Sequence, residues 1–300
     1  PDPACPIQMT EDFEKVLKKV FGKPVRIKSS FRTGGGCINE TQILHLTNGE
    51  RVFLKYNNSA PKDFFPAEAK GLKLLSRAEN GPRVPRPLGV QEGTHPKFLI
   101  LEYVEESPGD KGFYERFAQA LAQLHRMNDN EFGLEHDNFI GSTVQINTPE
   151  KDPVVFFREH RIRFQQTLAR KSRKLPAGVD KKIDRLCEKL GDLMDTTGEK
   201  PALLHGDLWS GNYFPGPGQQ PCIFDPAVYY GLREADLAMT ELFGRLPQQF
   251  YDAYHNAFPL NPGYSQRKAL YNLYHLLNHL NLFGGAYLSG VEQTVRQFTD

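Results

Sequence analysis

Cysteine is scarce. Cys5, Cys37, Cys187 and Cys222 are the only four in 300 residues, and no two show CxxC spacing. That argues against a disulfide framework and a zinc site, and for a reducing compartment. Long apolar runs are also missing, with nothing near the roughly 20 residues of a membrane span. An excess of either charge is missing too: 37 Lys and Arg against 36 Asp and Glu leave a net +1. Neither nucleic acid nor a membrane surface is therefore an expected partner. The basic run Arg170–Lys174 is short and reads as a solvated helix end. The opening Pro1–Pro6 has no basic n-region and no apolar h-region, so it does not read as an intact signal peptide. The expected location is cytoplasmic, or an organelle if an N-terminal targeting segment is missing.

What is present suggests a soluble globular chain with two unlike parts. Hydrophobic residues make up 39% and charged residues 24%, enough for a substantial core. Residues 1–9 read as a loose tail. Thr10 caps an expected helix carrying Phe13, Val16, Leu17 and Val20 at helical spacing, and Gly22 ends it. Strands are expected at Arg26–Phe31, Ile38–Thr47, Arg51–Tyr56, Val84–Val90 and Lys97–Val104, with a helix at Ala67–Ala78. Asn48-Gly49 is a hairpin signal, and Gly93-Thr94 reads as another turn. Beyond the polar stretch Glu105–Gly112, helices are expected at Tyr114–Met127, Val154–Ala169, Asp180–Met194, Ala235–Phe243, Pro247–Phe258 and Tyr264–Phe283. The expected division is a nucleotide-binding N-terminal lobe, 1–104, and a catalytic and substrate lobe, 105–300.

One β-like island interrupts the helices and holds the most informative residues. Leu203-Leu204 leads into His205-Gly206-Asp207, Asn212 follows five residues after Asp207, and Cys222-Ile223-Phe224 leads into Asp225. Phosphoryl transfer accounts for these types. One carboxylate, Asp207, orients the accepting hydroxyl and takes its proton. An amide and a second carboxylate, Asn212 and Asp225, suit Mg²⁺ on the ATP phosphates. Free Asp titrates near pH ~3.9, so Asp207 is expected to be ionised unless strongly buried.

Upstream parts follow in matching order. Gly34-Gly35-Gly36 sits between two expected strands, where backbone can approach phosphates closely. Lys55 ends a strand, and Glu68 on the next helix can pair with it. Backbone groups near Glu102, Tyr103 and Val104 can meet an adenine edge. Each feature alone has a bland reading: a turn, an exposed strand-end lysine, a first-turn glutamate, a buried strand. Together they match the protein-kinase set in order, with departures. His205-Gly206-Asp207 stands for His-Arg-Asp, Asp225-Pro226-Ala227 for Asp-Phe-Gly, and no Ala-Pro-Glu follows. The pattern resembles the aminoglycoside- and choline-kinase-type enzymes that act on small molecules.

Within that group the chain resembles the fructosamine/ketosamine 3-kinase family. The resemblance runs through Gly34–Glu40, Phe53-Leu54-Lys55, Val84–Pro87, Trp209-Ser210-Gly211-Asn212, Asp225–Gly231, Glu234–Met239 and Tyr274–Gly284. It implies an α+β, bilobal protein-kinase-like fold, with a small β-rich N-lobe and a larger helical C-lobe. It implies ATP- and magnesium-dependent phosphorylation of the 3-hydroxyl of ketosamines, free or on protein lysines, which is a deglycation repair. By the same likeness Asp207 is the catalytic base, Asn212 and Asp225 hold magnesium, and Lys55 and Glu68 hold the nucleotide phosphates. Another sugar, an amino alcohol or an aminoglycoside stays open as the acceptor, and so does a non-catalytic nucleotide-binding scaffold.

Five further expectations concern single residues. Trp209 is either a wall for the sugar or amine or packing beneath the loop. His279, which shares a helix face with His275, is a substrate-site candidate; with no third ligand in view the pair does not read as a metal site. Asp236 braces the catalytic loop or meets a substrate amine, and His205 fixes the loop. Cys37 packs, or acts as a redox switch through an intermolecular disulfide, which leaves monomer and redox-sensitive homodimer both open.

Overall fold

The structure is a computed structural model that describes residues 11–34, 38–92 and 96–300. The tail with Thr10, the residues Gly35, Gly36 and Cys37, and the Gly93-Thr94 turn lie outside the described residues.

Helix α1 (Glu11–Phe21) precedes strands β1 (Ile27–Arg32), β2 (Glu40–Leu46) and β3 (Arg51–Tyr56), helix α2 (Phe64–Leu75), and strands β4 (Pro87–Gln91) and β5 (Phe98–Glu102). The five strands form one antiparallel sheet in the order β1-β2-β3-β5-β4. Asn48-Gly49 turns β2 into β3: Gly49 has φ +89°, and the Asn48 Oδ1 accepts from Glu50 N–H at 3.1 Å. Phe13 and Leu17 of α1 are fully buried with Leu54, Phe98 and Ile100. Burial of such side chains contributes about 1.5–3 kcal/mol each.

Both ends of α2 and the start of β4 are among the boundaries that move from their expected places. Helix α2 starts at Phe64 rather than Ala67, because Pro66 is tolerated in a first turn whose N–H groups have no intrahelical acceptor. It stops at Leu75, where Ser76, Arg77 and Ala78 fold into a turn. Strand β4 begins only at Pro87, since Pro85 and Pro87 have no N–H to donate.

The rest is mainly helical: α3 (Phe113–His125), the small hairpin β6 (Asn138–Ile140) and β7 (Thr143–Gln145), α4 (Pro153–Phe156), a π-helical turn at Phe157–Arg163, α5 (Phe164–Lys171) and α6 (Ala177–Leu193). Then come β8 (Ala202–Leu204), β9 (Tyr213–Pro215), β10 (Pro221–Ile223), β11 (Tyr229–Gly231), α7 (Glu234–Leu242), α8 (Gln248–Ala257), α9 (Tyr264–Phe283) and α10 (Leu288–Thr299). The sheet gives way to helices near residue 104, but the core crosses that point. One apolar cluster joins Phe65, Leu72, Leu99 and Leu101 to Phe117, Leu203, Leu208, Ile223 and Val228. Among the described residues no helix is long and apolar enough to cross a membrane.

Candidate active site

Four short strands place the chemistry. Strand β8 pairs with β11, Leu204 opposite Tyr229, and β9 pairs with β10, Tyr213 opposite Ile223. The loop 205–212 therefore leaves one ribbon and enters the other, and the segment 224–228 returns beside it. Hydrogen bonds tie the two stretches. The His205 Nε2–H donates to the Phe224 carbonyl at 2.8 Å, while its Nδ1 accepts from Asp207 N–H at 3.2 Å. Ala227 N–H donates to the His205 carbonyl at 2.9 Å.

Two glycines in the loop are dictated by close approach. Gly206 has φ +81°, and a Cβ there would lie 2.0 Å from the Ala227 carbonyl oxygen. This is a physical reason for glycine where a protein kinase has arginine. A Cβ at Gly211 would meet the Trp209 ring at 2.4 Å, so the indole lies against bare backbone.

Asp236 sits beneath the loop, 1% exposed. Its two carboxylate oxygens accept from His205 N–H at 2.7 Å and Gly206 N–H at 2.8 Å, and His125 Nε2–H donates to it at 3.2 Å. Burial pushes its carboxyl up, but the His125 hydrogen bond and the charges nearby outweigh that and hold it below the usual range. Asp236 is a brace for backbone and not a cavity wall.

Lys55 on β3 stands between two acids. Its Nζ donates to Glu68 on α2 at 2.6 Å and to Asp225 at 2.8 Å, with the side chain only 3% exposed. Burial works against the ammonium, yet the Asp225 and Glu68 carboxylates keep its pKa above the ordinary value. Burial pushes Glu68 up, and Lys55 opposes that shift. Removing one member of a buried pair costs about 3–5 kcal/mol. Lys55→Met is therefore expected to lower stability by about that much, less where Glu68 takes up a proton, and to weaken nucleotide binding. Thermal melts with and without nucleotide check it; an unchanged melting point with normal turnover would remove Lys55 from the site.

Lys55, Glu68, Asp207, Asn212, Asp225, Trp209 and His279 all line one cavity of about 460 Å³. The Asn212 Nδ2–H donates to the Asp207 carbonyl at 2.8 Å and, more weakly, to Asp207 Oδ2 at 3.3 Å. That leaves the amide oxygen for a cation. Asp225 offers a second hard oxygen donor, 37% exposed, from a backbone held at φ 56°, where Asp is tolerated but following proline is not favourable. Oxygen donors of this kind fit magnesium on phosphates rather than zinc. Asp207 is 21% exposed toward the cavity. Burial, with the charges of Asp225 and Asp236, pushes its pKa up to about 7, against the Asn212 hydrogen bond. The exception allowed for strong burial therefore applies: part of this carboxyl carries a proton at neutral pH.

Glu102, Tyr103 and Val104 do not line this cavity. The Glu102 carboxylate pairs with Arg83 at 2.5 Å and Arg86 at 3.7 Å, its N–H donates to the Arg86 carbonyl, and Arg51 lies 4.5 Å over the Tyr103 ring. Gly34 is described without close neighbours.

The structure adds residues that the sequence pattern does not single out. Asn138 Nδ2–H donates to the Val228 carbonyl at 2.7 Å and Gln145 Nε2–H to the Ala227 carbonyl at 3.0 Å, so the β6–β7 hairpin holds the segment after Asp225. At the far end of the cavity, Phe243 and Tyr287 flank His279 at 4.8 and 5.0 Å between ring centres. Trp209 meets Phe243 edge-on at 6.4 Å.

A sheet-covered lysine paired with a helix glutamate, facing a loop Asp and Asn and a following Asp, defines a protein-kinase-like phosphotransferase. The profile of the fructosamine kinase family matches residues 9–300. A protein of Synechocystis sp. named as a probable ketoamine kinase is 42% identical over 285 residues, 94% of each chain. The chloroplastic protein-ribulosamine 3-kinase of Oryza sativa subsp. japonica is 37% identical over 280 residues, 92% of this chain and 80% of that protein. A Haemophilus somnus 129PT protein whose crystal structure is described as a fructosamine-3-kinase superposes with a TM-score of 0.86 at 30% identity, covering 96% of both chains. The chain belongs to the fructosamine kinase family and is an enzyme of that kind.

Proposed function

We propose that the chain transfers the terminal phosphoryl group of ATP to the 3-hydroxyl of ketosamines of the fructosamine and ribulosamine type, free or carried on protein lysines. Transfer to a protein-borne sugar would begin deglycation. The observation that carries this reading is the convergence of Lys55, Asp207, Asn212 and Asp225 on one cavity in a chain of this family.

Each residue has a part in that reaction. Lys55, braced by Glu68, holds nucleotide phosphates, with Gly34 and its neighbours in the loop before β2. Asn212 and Asp225 hold the metal; magnesium bound there would neutralise charge on the phosphate oxygens. Asp207 holds the acceptor hydroxyl in line. As the new O–P bond forms and the phosphoanhydride bond breaks, the hydroxyl proton passes to its carboxylate. Trp209 and His279 make the wall for the sugar and amine. A flat aromatic face suits the C–H face of a sugar and attracts a cationic amine.

The test is ATP consumption against a panel of ketosamines, with phosphorus NMR locating the phosphate. Transfer to the 3-hydroxyl is expected. No transfer to any ketosamine, together with strong transfer to choline or an aminoglycoside, would overturn the assignment of acceptor.

A further inference from the structure

His275 lies on α9, 3% exposed, one helical turn before His279. Its Nδ1 is buried and makes no hydrogen bond among the described residues. That atom stands 4.0 Å from Asp207 Oδ1. The other carboxylate oxygen of Asp207, Oδ2, takes the weak bond from Asn212, and no donor among the described residues reaches Oδ1. A buried ring nitrogen and a carboxylate oxygen, each lacking a partner, therefore face one another across a gap only slightly too long for a hydrogen bond.

The platform is firm. The His275 carbonyl accepts from His279 Nδ1–H at 2.8 Å. The neighbouring Tyr274 hydroxyl donates to Gln145 Oε1 at 2.7 Å, and Gln145 in turn holds the Ala227 carbonyl. Helix α9 is thus tied to the segment that follows Asp225. Burial, with His279 beside it, pulls the His275 pKa down to about 3, so the ring is neutral and donates from one nitrogen only. It can orient the carboxylate without neutralising it. Among the described residues no set of three His, Cys, Asp or Glu side chains suits a metal.

On the reading that Asp207 orients the acceptor hydroxyl, we propose that His275 is a positioning residue: with substrates bound, its Nδ1–H donates to Asp207 Oδ1 and turns Oδ2 toward the hydroxyl. Catalytic hydrogen bonds that are long in the free enzyme commonly tighten in the complex.

Three variants separate this from packing. An Asn amide places a donor where Nδ1 is, a Gln amide places one nearer Nε2, and Leu supplies none. His275→Leu is expected to lower kcat by about 10–100-fold with KM for ATP within about 2-fold. His275→Asn should recover most of that loss, and His275→Gln should not. Thermal melts show which variants fold; if His275→Leu does not, the Asn and Gln pair decides alone. Equal kcat losses in Asn and Gln, or a folded Leu variant with normal kcat, would overturn the assignment. Asp207→Asn is run in parallel. Full activity there would remove the reading of Asp207 and this inference with it. An inactive Asp207→Asn beside a normal His275→Leu would remove His275 alone.

Discussion

Asp207→Asn is expected to lower kcat by about 10²–10⁴-fold while nucleotide affinity stays near that of the wild type. The amide keeps the size and the contact with Asn212 but cannot accept the hydroxyl proton. The same substitution carries a second signature. Burial and two neighbouring acids raise the Asp207 pKa to about 7 in the folded chain, against roughly 3.9 for free Asp. The folded state therefore binds this proton more tightly than the unfolded state. The resulting stabilisation is complete below about pH 4 and is lost as pH rises through about 7. Relative to the wild type, the unliganded Asn variant should gain stability across that window, on the order of 2–4 kcal/mol at pH 8 and close to nothing at pH 4. Melting curves at the two pH values check it. A wild-type rate with nucleotide and ketosamine would remove Asp207 from the reaction, and a pH-independent difference would remove the buried charge.

Gly206→Ala is expected to cost about 3 kcal/mol or more and to abolish most activity. A positive φ alone costs an alanine about 1–2 kcal/mol. The added carbon would also lie 2.0 Å from the Ala227 carbonyl oxygen. That oxygen cannot simply retreat, because Gln145 donates to it and the Ala227 N–H is bonded to His205. Relief must come from parting the loop that carries Asp207 from the segment that carries Asp225. Gly178→Ala on α6 is the control, with an ordinary φ and open space at the Cβ; it should be neutral or mildly stabilising. Urea titration and turnover of the two variants compare them. A Gly206→Ala protein as stable and active as the control would show that the junction yields easily.

The lysine and the two acids were legible because each lies on or within three residues of an apolar run. Val52-Phe53-Leu54 lies in β3, which runs one residue past Lys55 to Tyr56, while Leu203-Leu204 and Cys222-Ile223 end β8 and β10 just before the loop and Asp225. Helix α9 matched its expected span at both ends, since Gly263 and Gly284 flank it. The hairpin that holds the Ala227 and Val228 carbonyls was not legible. Three-residue strands are too short to show alternation, and Asn138 and Gln145 look like any surface amides. Helix α10 does carry Leu288, Val291, Val295 and Phe298 at helical spacing, but Ser289, Gly290 and Thr294 dilute the signal. The raised pKa of Asp207 comes first from burial and then from Asp225 and Asp236, which approach it only through the fold.

The apolar cluster that runs from Leu99 and Leu101 of the sheet to Leu203, Leu208 and Ile223 around the loop has a wider meaning. Two further apolar clusters stay on one side of residue 104, one from Phe13 to Ile100 and one from Phe132 to Val295, while this one spans it. Leu208 of this cluster follows Asp207, and Leu99 is paired with Lys55 across the sheet, so loosening the joint would disturb the surroundings of both.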